Sequence, residues 1–76
     1  MEVQDNTAED SVRRLSKGRL SELYRRSQEI YKESHTDQSA IDYYRASDAL
    51  GLGINEVDNF DLYKKGRRSY FEKKLA

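Results

Sequence analysis

Apolar residues recur every three or four positions along most of the chain, and this spacing predicts amphipathic α-helices. Thr7, followed three residues later by Asp10, has the spacing of a short capping box and predicts a first helix beginning near Ala8. Gly18 interrupts the apolar pattern, so we expect this helix to be split or bent there, with an unbroken pattern over 19–33. The residues assigned to its buried face are Val12, Leu15, Leu20, Leu23, Tyr24, Ser27, Ile30, Tyr31 and Ser34.

A second helical stretch follows a short polar turn over 34–38, which contains the only histidine, His35. Ser39 and Asp42 repeat the capping-box spacing and predict the start of this helix. Gly51 is predicted just past its end with a positive φ, because glycine adopts a left-handed backbone without steric cost. The residues assigned to the buried face are Ala40, Ile41, Tyr43, Tyr44, Ser47 and Leu50.

A third helix is predicted from the cap residues Asn55 and Asp58 onward. Gly66 lies inside it and weakens the pattern, so the helix is expected to be kinked or frayed beyond Tyr63. Its predicted buried residues are Val57, Phe60, Tyr63, Tyr70, Phe71 and Leu75.

These elements predict an all-α fold, a small three-helix bundle with helix-turn-helix-like helices 2 and 3 and short turns near 35–38 and 51–54. Residues 1–6 are expected to form a flexible N-terminal tail, and residues 7–76 a single helical domain. Leu, Ile, Val and Phe number only 15 of the 76 residues, which is material for one small core. The six tyrosines are therefore expected to complete that core.

The residue types in the sequence argue against a metal site and a catalytic site. With no cysteine and a single histidine, the chain lacks the converging ligands of a zinc site, and we expect no metal and no cofactor. No serine lies in a nucleophile-elbow motif with a second base, so no catalytic residue is assigned and the protein is expected not to be an enzyme. No apolar run approaches the ~18 residues of a membrane span, and a cytoplasmic location is expected.

Charge alternates in blocks although the net charge is zero. Residues 1–12 and 35–61 are acidic, with net charges of −4 and −5, whereas 13–34 and 62–76 are basic, with +4 and +5. In the last block a basic run is followed by two aromatic residues, and together they form the candidate partner-binding site Lys64, Lys65, Arg67, Arg68, Tyr70 and Phe71. The first expectation is a small regulatory or adaptor protein that binds a protein partner through this surface. A core this small also makes the chain a candidate for a homodimer.

The alternative is a small nucleic-acid-binding regulator that uses residues 43–68. The spacing there is typical of a helix-turn-helix unit, with a small residue at the crossing, apolar residues around a glycine turn and two buried residues after it, namely Ser47, Leu50, Gly51, Leu52, Val57 and Phe60. The predicted second helix, however, begins with two acids, Glu56 and Asp58, where a DNA-reading helix presents basic side chains. Acids at that position oppose binding to phosphates.

Overall fold

Three helices build the fold in the computed structural model, which describes residues 15–75. They are α1 (Lys17–Ser34), α2 (Asp37–Ala49) and α3 (Phe60–Leu75), and α2 packs against both of the others. The described residues contain no strand. The predicted all-α three-helix bundle is therefore confirmed. The predictions that rest on Thr7, Asp10 and Val12, and the tail over 1–6, lie outside the described residues.

Helix α1 begins next to Gly18, where the sequence predicted an interruption. Ser16 is extended (φ −67°, ψ 163°), and its side chain accepts a hydrogen bond from the Arg19 amide, which makes it the N-cap. The helix ends at His35, which adopts a left-handed backbone with φ 52° and donates its amide to the Tyr31 carbonyl. His35 thus lies in the connection to α2, as predicted.

Helix α2 begins earlier than predicted. Its N-cap is Thr36, whose hydroxyl oxygen accepts the Ser39 amide at 3.3 Å, while the Ser39 hydroxyl donates to the Thr36 carbonyl at 2.8 Å. The predicted cap at Ser39 and Asp42 is therefore wrong. Because the left-handed His35 already reverses the chain, two residues are enough to connect α1 to α2.

The end of α2 agrees with the prediction. Gly51 has a φ of +80°, and its amide donates to the Asp48 carbonyl at 3.0 Å. The Leu52 amide donates to the Ser47 carbonyl at 2.9 Å, which completes a Schellman motif. Glycine is needed here because a side chain at this φ strains the backbone.

The connection between α2 and α3 is longer than predicted and runs from Leu50 to Asn59. Asn59 caps α3 by accepting the Leu62 amide on its side-chain oxygen at 3.0 Å, so the predicted start at Asn55 and Asp58 is wrong. A turn of ten residues is also longer than the three or four of a DNA-binding helix-turn-helix unit.

Two tyrosines explain why the chain remains irregular before Asn59. The rings of Tyr24 on α1 and Tyr43 on α2 stack with centroids 4.8 Å apart, and the Tyr43 hydroxyl donates to the Tyr24 oxygen. The Tyr24 oxygen accepts the Asp58 amide and the Tyr43 oxygen accepts the Asn59 amide, each at 2.8 Å. Burial and the Tyr24 hydroxyl raise the pKa of Tyr43, so its hydroxyl stays protonated and can donate. The loop is thus bound to α1 and α2 through its backbone.

Helix α3 continues past Gly66 to Leu75, so it is not frayed beyond Tyr63. Gly66 is buried where α3 crosses α2. A Cβ atom added there would collide with the Ala40 carbonyl oxygen and lie 2.7 Å from the Ala40 carbonyl carbon and 2.9 Å from the Tyr44 Cβ. Glycine therefore allows the two backbones to touch, which is a packing role and not a weak point of the helix.

The close approach at Gly66 also sets which side of α3 faces the core. Leu62, one turn before Gly66, is buried with 3% of its surface exposed, although the sequence pattern did not assign it to the core. Phe60 and Phe71, which were predicted to be buried, are 47% and 45% exposed. On α1, Ile30 was also predicted to be buried and is 46% exposed. The core is centred on Ala40, Tyr43 and Leu62, with Tyr24, Tyr31, Val57 and Tyr63 packed around it.

We expect Gly66→Ala to lower the free energy of unfolding by about 1–3 kcal/mol, because the added methyl group meets backbone that cannot rotate away. Gly18→Ala is the matched control, since nothing lies within 4 Å of the added Cβ atom and the fold should lose no stability. Urea denaturation of both variants measures the difference. Equal midpoints for the two variants would contradict the crossing at Gly66.

Tyr24→Phe and Tyr43→Phe each remove a hydroxyl that accepts a loop amide, and each should cost about 1–2 kcal/mol of unfolding free energy. Amide hydrogen exchange should become faster at Asp58 in the first variant and at Asn59 in the second, while the centre of α2 stays protected. Tyr31→Phe, at another half-buried tyrosine of α1, is the control. Unchanged exchange at both amides would show that the hydroxyls do not hold the loop.

Candidate functional site

The structure brings together four of the six residues predicted to bind a partner. Lys64, Arg67, Arg68 and Phe71 line an open groove of about 260 Å³ on the exposed side of α3. They are spaced at i, i+3, i+4 and i+7, which places them on one helix face. All four side chains are exposed.

Phe60 extends this face by one turn, and sequence reasoning missed it by assigning it to the core. Its position four residues before Lys64 was the available signal. The Lys64 ammonium lies 5.1 Å from the centroid of the Phe60 ring, and the Arg67 guanidinium lies 5.9 Å from that of Phe71. Both distances are within cation–π range. We call the set Phe60, Lys64, Arg67, Arg68 and Phe71 the α3 outer face.

The two remaining predicted residues lie elsewhere. The Lys65 ammonium is 3.7 Å from the Asp37 carboxylate at the start of α2, and both side chains are exposed to solvent. Tyr70 is half-buried against α2, with its ring 5.6 Å from that of Tyr44 and 4.8 Å from the buried Arg45 guanidinium. Lys65 and Tyr70 do not line the α3 groove and are not part of the α3 outer face.

The acids expected at the start of the third helix are not on α3. The Glu56 carboxylate accepts the Gly53 amide at 2.6 Å and closes a turn of the loop. The Asp58 carboxylate accepts a hydrogen bond from the Gln28 side chain of α1 at 3.5 Å. Asp61, in the first turn of α3, complements the positive end of the helix dipole.

Arg67 connects the outer face electrostatically to α2. Burial raises the pKa of the Tyr44 hydroxyl, and the negative charge of Asp48 adds to the increase. The positive charge of Arg67 opposes it, because it favours the ionised phenolate. The guanidinium is therefore close to both Tyr44 and the Phe71 ring, so that its position is constrained from two sides.

A second groove, of about 320 Å³, lies along α1 and was not predicted. Its lining contains two arginines and one glutamate beside leucine, namely Leu15, Arg19, Glu22, Leu23 and Arg26. Opposite charges alternate in this groove, whereas the α3 groove carries three cations and no acid. The α3 outer face is therefore the surface with the clearer preference for one class of ligand.

Among residues 15–75, no three His, Cys, Asp or Glu side chains converge as metal ligands would, and no helix is long and apolar enough to span a bilayer. Comparison of the chain with protein-family models, with curated proteins and with solved structures finds no match. The chemistry of the described surface is therefore the guide to function.

One carboxyl group of α2 has a raised pKa, which elsewhere can mark a catalytic acid. Burial raises the pKa of Asp42, while a 2.9 Å hydrogen bond from Gln38 and the positive charges of Arg45 and Lys73 oppose the increase. Gln38 and Arg45 lie on α2 and Lys73 lies on α3, so Asp42 takes part in the contact between these two helices.

We expect Asp42→Asn to be more stable than the wild type at pH 7, because the folded protein holds a proton on Asp42 more tightly than the unfolded chain does. The wild type should lose stability as pH rises from the ordinary value of 3.8 through the raised pKa, and the variant should not. Urea denaturation between about pH 3 and 7 should show the gap narrowing toward acid. Glu29→Gln, at an exposed position of α1, is the control. A gap that widens toward acid would contradict the effect of burial.

Proposed function

We propose that this chain is a small non-enzymatic regulatory or adaptor protein that binds a protein partner through the α3 outer face. The observation that carries the proposal is the exposure of two phenylalanines, Phe60 at 47% and Phe71 at 45%, with three cations between them on one helix face. Leaving large aromatic side chains in water costs free energy, and a partner that covers them lowers the free energy of the complex.

The dimensions of the face suit a protein partner. Phe60 and Phe71 are separated by eleven residues, or about 16 Å along the helix axis. Buried aromatic anchors provide most of the binding energy in protein interfaces, while charges at the rim chiefly raise the association rate and select the partner. The α3 outer face has this composition, with an aromatic ring at each end and Lys64, Arg67 and Arg68 between them.

Nucleic acid is the second candidate, because cations interleaved with aromatic rings can contact phosphates and stack on bases. Glu56 and Asp58, the acids that argue against nucleic-acid binding in the sequence, lie in the loop and not on α3. Two observations still favour protein. The face offers three cations, against about 6–10 phosphate contacts in a typical DNA-binding protein, and the net charge of the chain is zero. The long connection from Leu50 to Asn59 also lacks helix-turn-helix geometry.

The test captures partners from nuclease-treated native lysate with the tagged full chain and measures the affinity of each purified partner. Phe60→Ala and Phe71→Ala should each weaken binding by about tenfold or more, because each removes an anchor that is already exposed. Arg68→Ala should act mainly on the association rate. Arg25→Ala, at an exposed position of α1, should bind like the wild type.

Circular dichroism and melting curves establish that each variant is folded, which is expected because the changed side chains are exposed. Duplex and single-stranded oligonucleotides are titrated in parallel at about 50 and 200 mM salt, where phosphate-driven affinity falls by orders of magnitude. Partners that bind both phenylalanine variants as tightly as the wild type contradict the proposal. The nucleic-acid alternative would be supported by oligonucleotide binding that weakens with salt, is abolished by Arg67→Glu and persists in Phe71→Ala.

A further inference from the structure

The groove on the α3 outer face is open and smaller than a typical small-molecule pocket. Its volume of about 260 Å³ is below the ~300–1,000 Å³ of pockets that enclose small-molecule ligands. Phe71 provides the apolar wall, and Lys64, Arg67 and Arg68 provide the charged rim. An apolar side chain that is flanked by anionic groups is the complement of this arrangement.

The cations of the rim favour carboxylates. An arginine guanidinium can hold a carboxylate with two parallel hydrogen bonds, and Arg67 and Arg68 are adjacent in the groove. Lys64 and Arg67 already lie over the rings of Phe60 and Phe71, so less side-chain freedom is lost when a carboxylate binds them. The described residues place no carboxylate in the lining of this groove.

The face also selects the secondary structure of its occupant. Its backbone amides belong to α3, and the described residues contain no strand edge to which an extended peptide could add. The exposed side chains follow a straight stripe at 60, 64, 67 and 71 over about 16 Å. A partner helix that lies along the stripe repeats its own side chains at the same spacing and can contact both phenylalanines.

We infer that the α3 outer face binds an acidic amphipathic helix of a partner protein, with an apolar side chain seated against Phe71 and carboxylates on Lys64, Arg67 and Arg68. The inference rests on the proposed docking function and adds the chemistry and secondary structure of the docked segment. It is carried by the charge complementarity of a groove that contains three cations and no acid.

The test uses three synthetic peptides of about 18 residues, long enough to form a helix across the face. The first carries leucines at helical spacing flanked by glutamates, the second replaces the glutamates by lysines, and the third scrambles the first. Fluorescence anisotropy with the full chain should show the glutamate peptide binding at least about tenfold more tightly than either control.

A charge swap makes the test specific to this face. Lys64→Glu combined with Arg68→Glu should reverse the preference toward the lysine peptide. Arg25→Glu combined with Lys32→Glu makes the same change in net charge on exposed positions of α1 and should leave the preference intact. Phe71→Ala should lower the affinity for the glutamate peptide by about tenfold, because it removes the apolar wall of the groove.

Equal affinities for the three peptides, or a preference that the α1 variant reverses equally well, would overturn the inference. Tighter binding of a single-stranded oligonucleotide than of the glutamate peptide would overturn it in favour of nucleic acid. If captured partners depend on Phe60 and Phe71 but the peptides show no preference, the docking function stands and the acidic helix is wrong. If neither dependence is seen, both proposals are wrong.

Discussion

The contact between Gly66 and Ala40 fixes the rotation of α3, and the rest of the structure depends on it. Because any side chain at Gly66 would meet the α2 backbone, only this side of α3 can approach so closely. Leu62 lies on the same side and enters the core, and Tyr70 reaches Tyr44. A rotation that buried Phe60 and Phe71 instead would turn Gly66 away from the crossing, so the exposure of the two phenylalanines is a consequence of the glycine contact.

Tyrosine side chains provide buried volume and hydrogen-bonding groups that the small number of aliphatic residues cannot. Within residues 15–75, the buried apolar side chains are three large aliphatic ones, two alanines and two tyrosines, namely Leu20, Ile41, Leu62, Ala40, Ala46, Tyr43 and Tyr44. Tyr43 fills the centre with its ring and then uses its hydroxyl to bind the loop amide of Asn59. One residue type therefore fills volume and satisfies backbone donors in a long connection, which would otherwise bury unpaired amides.

The sequence predicted those features that depend on local chemistry. The helical spacing, the left-handed Gly51 and the connection at His35 are set by residues close in the chain, and they agree with the structure. The start of α3 is decided by hydroxyls from α1 and α2, which sequence spacing around Asn55 does not reveal. The rotation of α3 is likewise decided by the Ala40 backbone. Gly66, which the sequence pattern marks as a weak point of the helix, lies where α3 approaches the α2 backbone closely, because helix propensity counts the cost of glycine and not its small size.

The same rotation accounts for a basic surface on a chain with no net charge. Lys65 pairs with Asp37, and Arg45 is buried beneath the Tyr70 ring, so both cations interact with other residues of the bundle. Lys64, Arg67 and Arg68 remain on the outside, within about 6 Å along the helix axis. A local cluster of this kind attracts a short acidic segment next to two exposed rings, whereas a balanced chain offers a long polyanion little attraction at a distance.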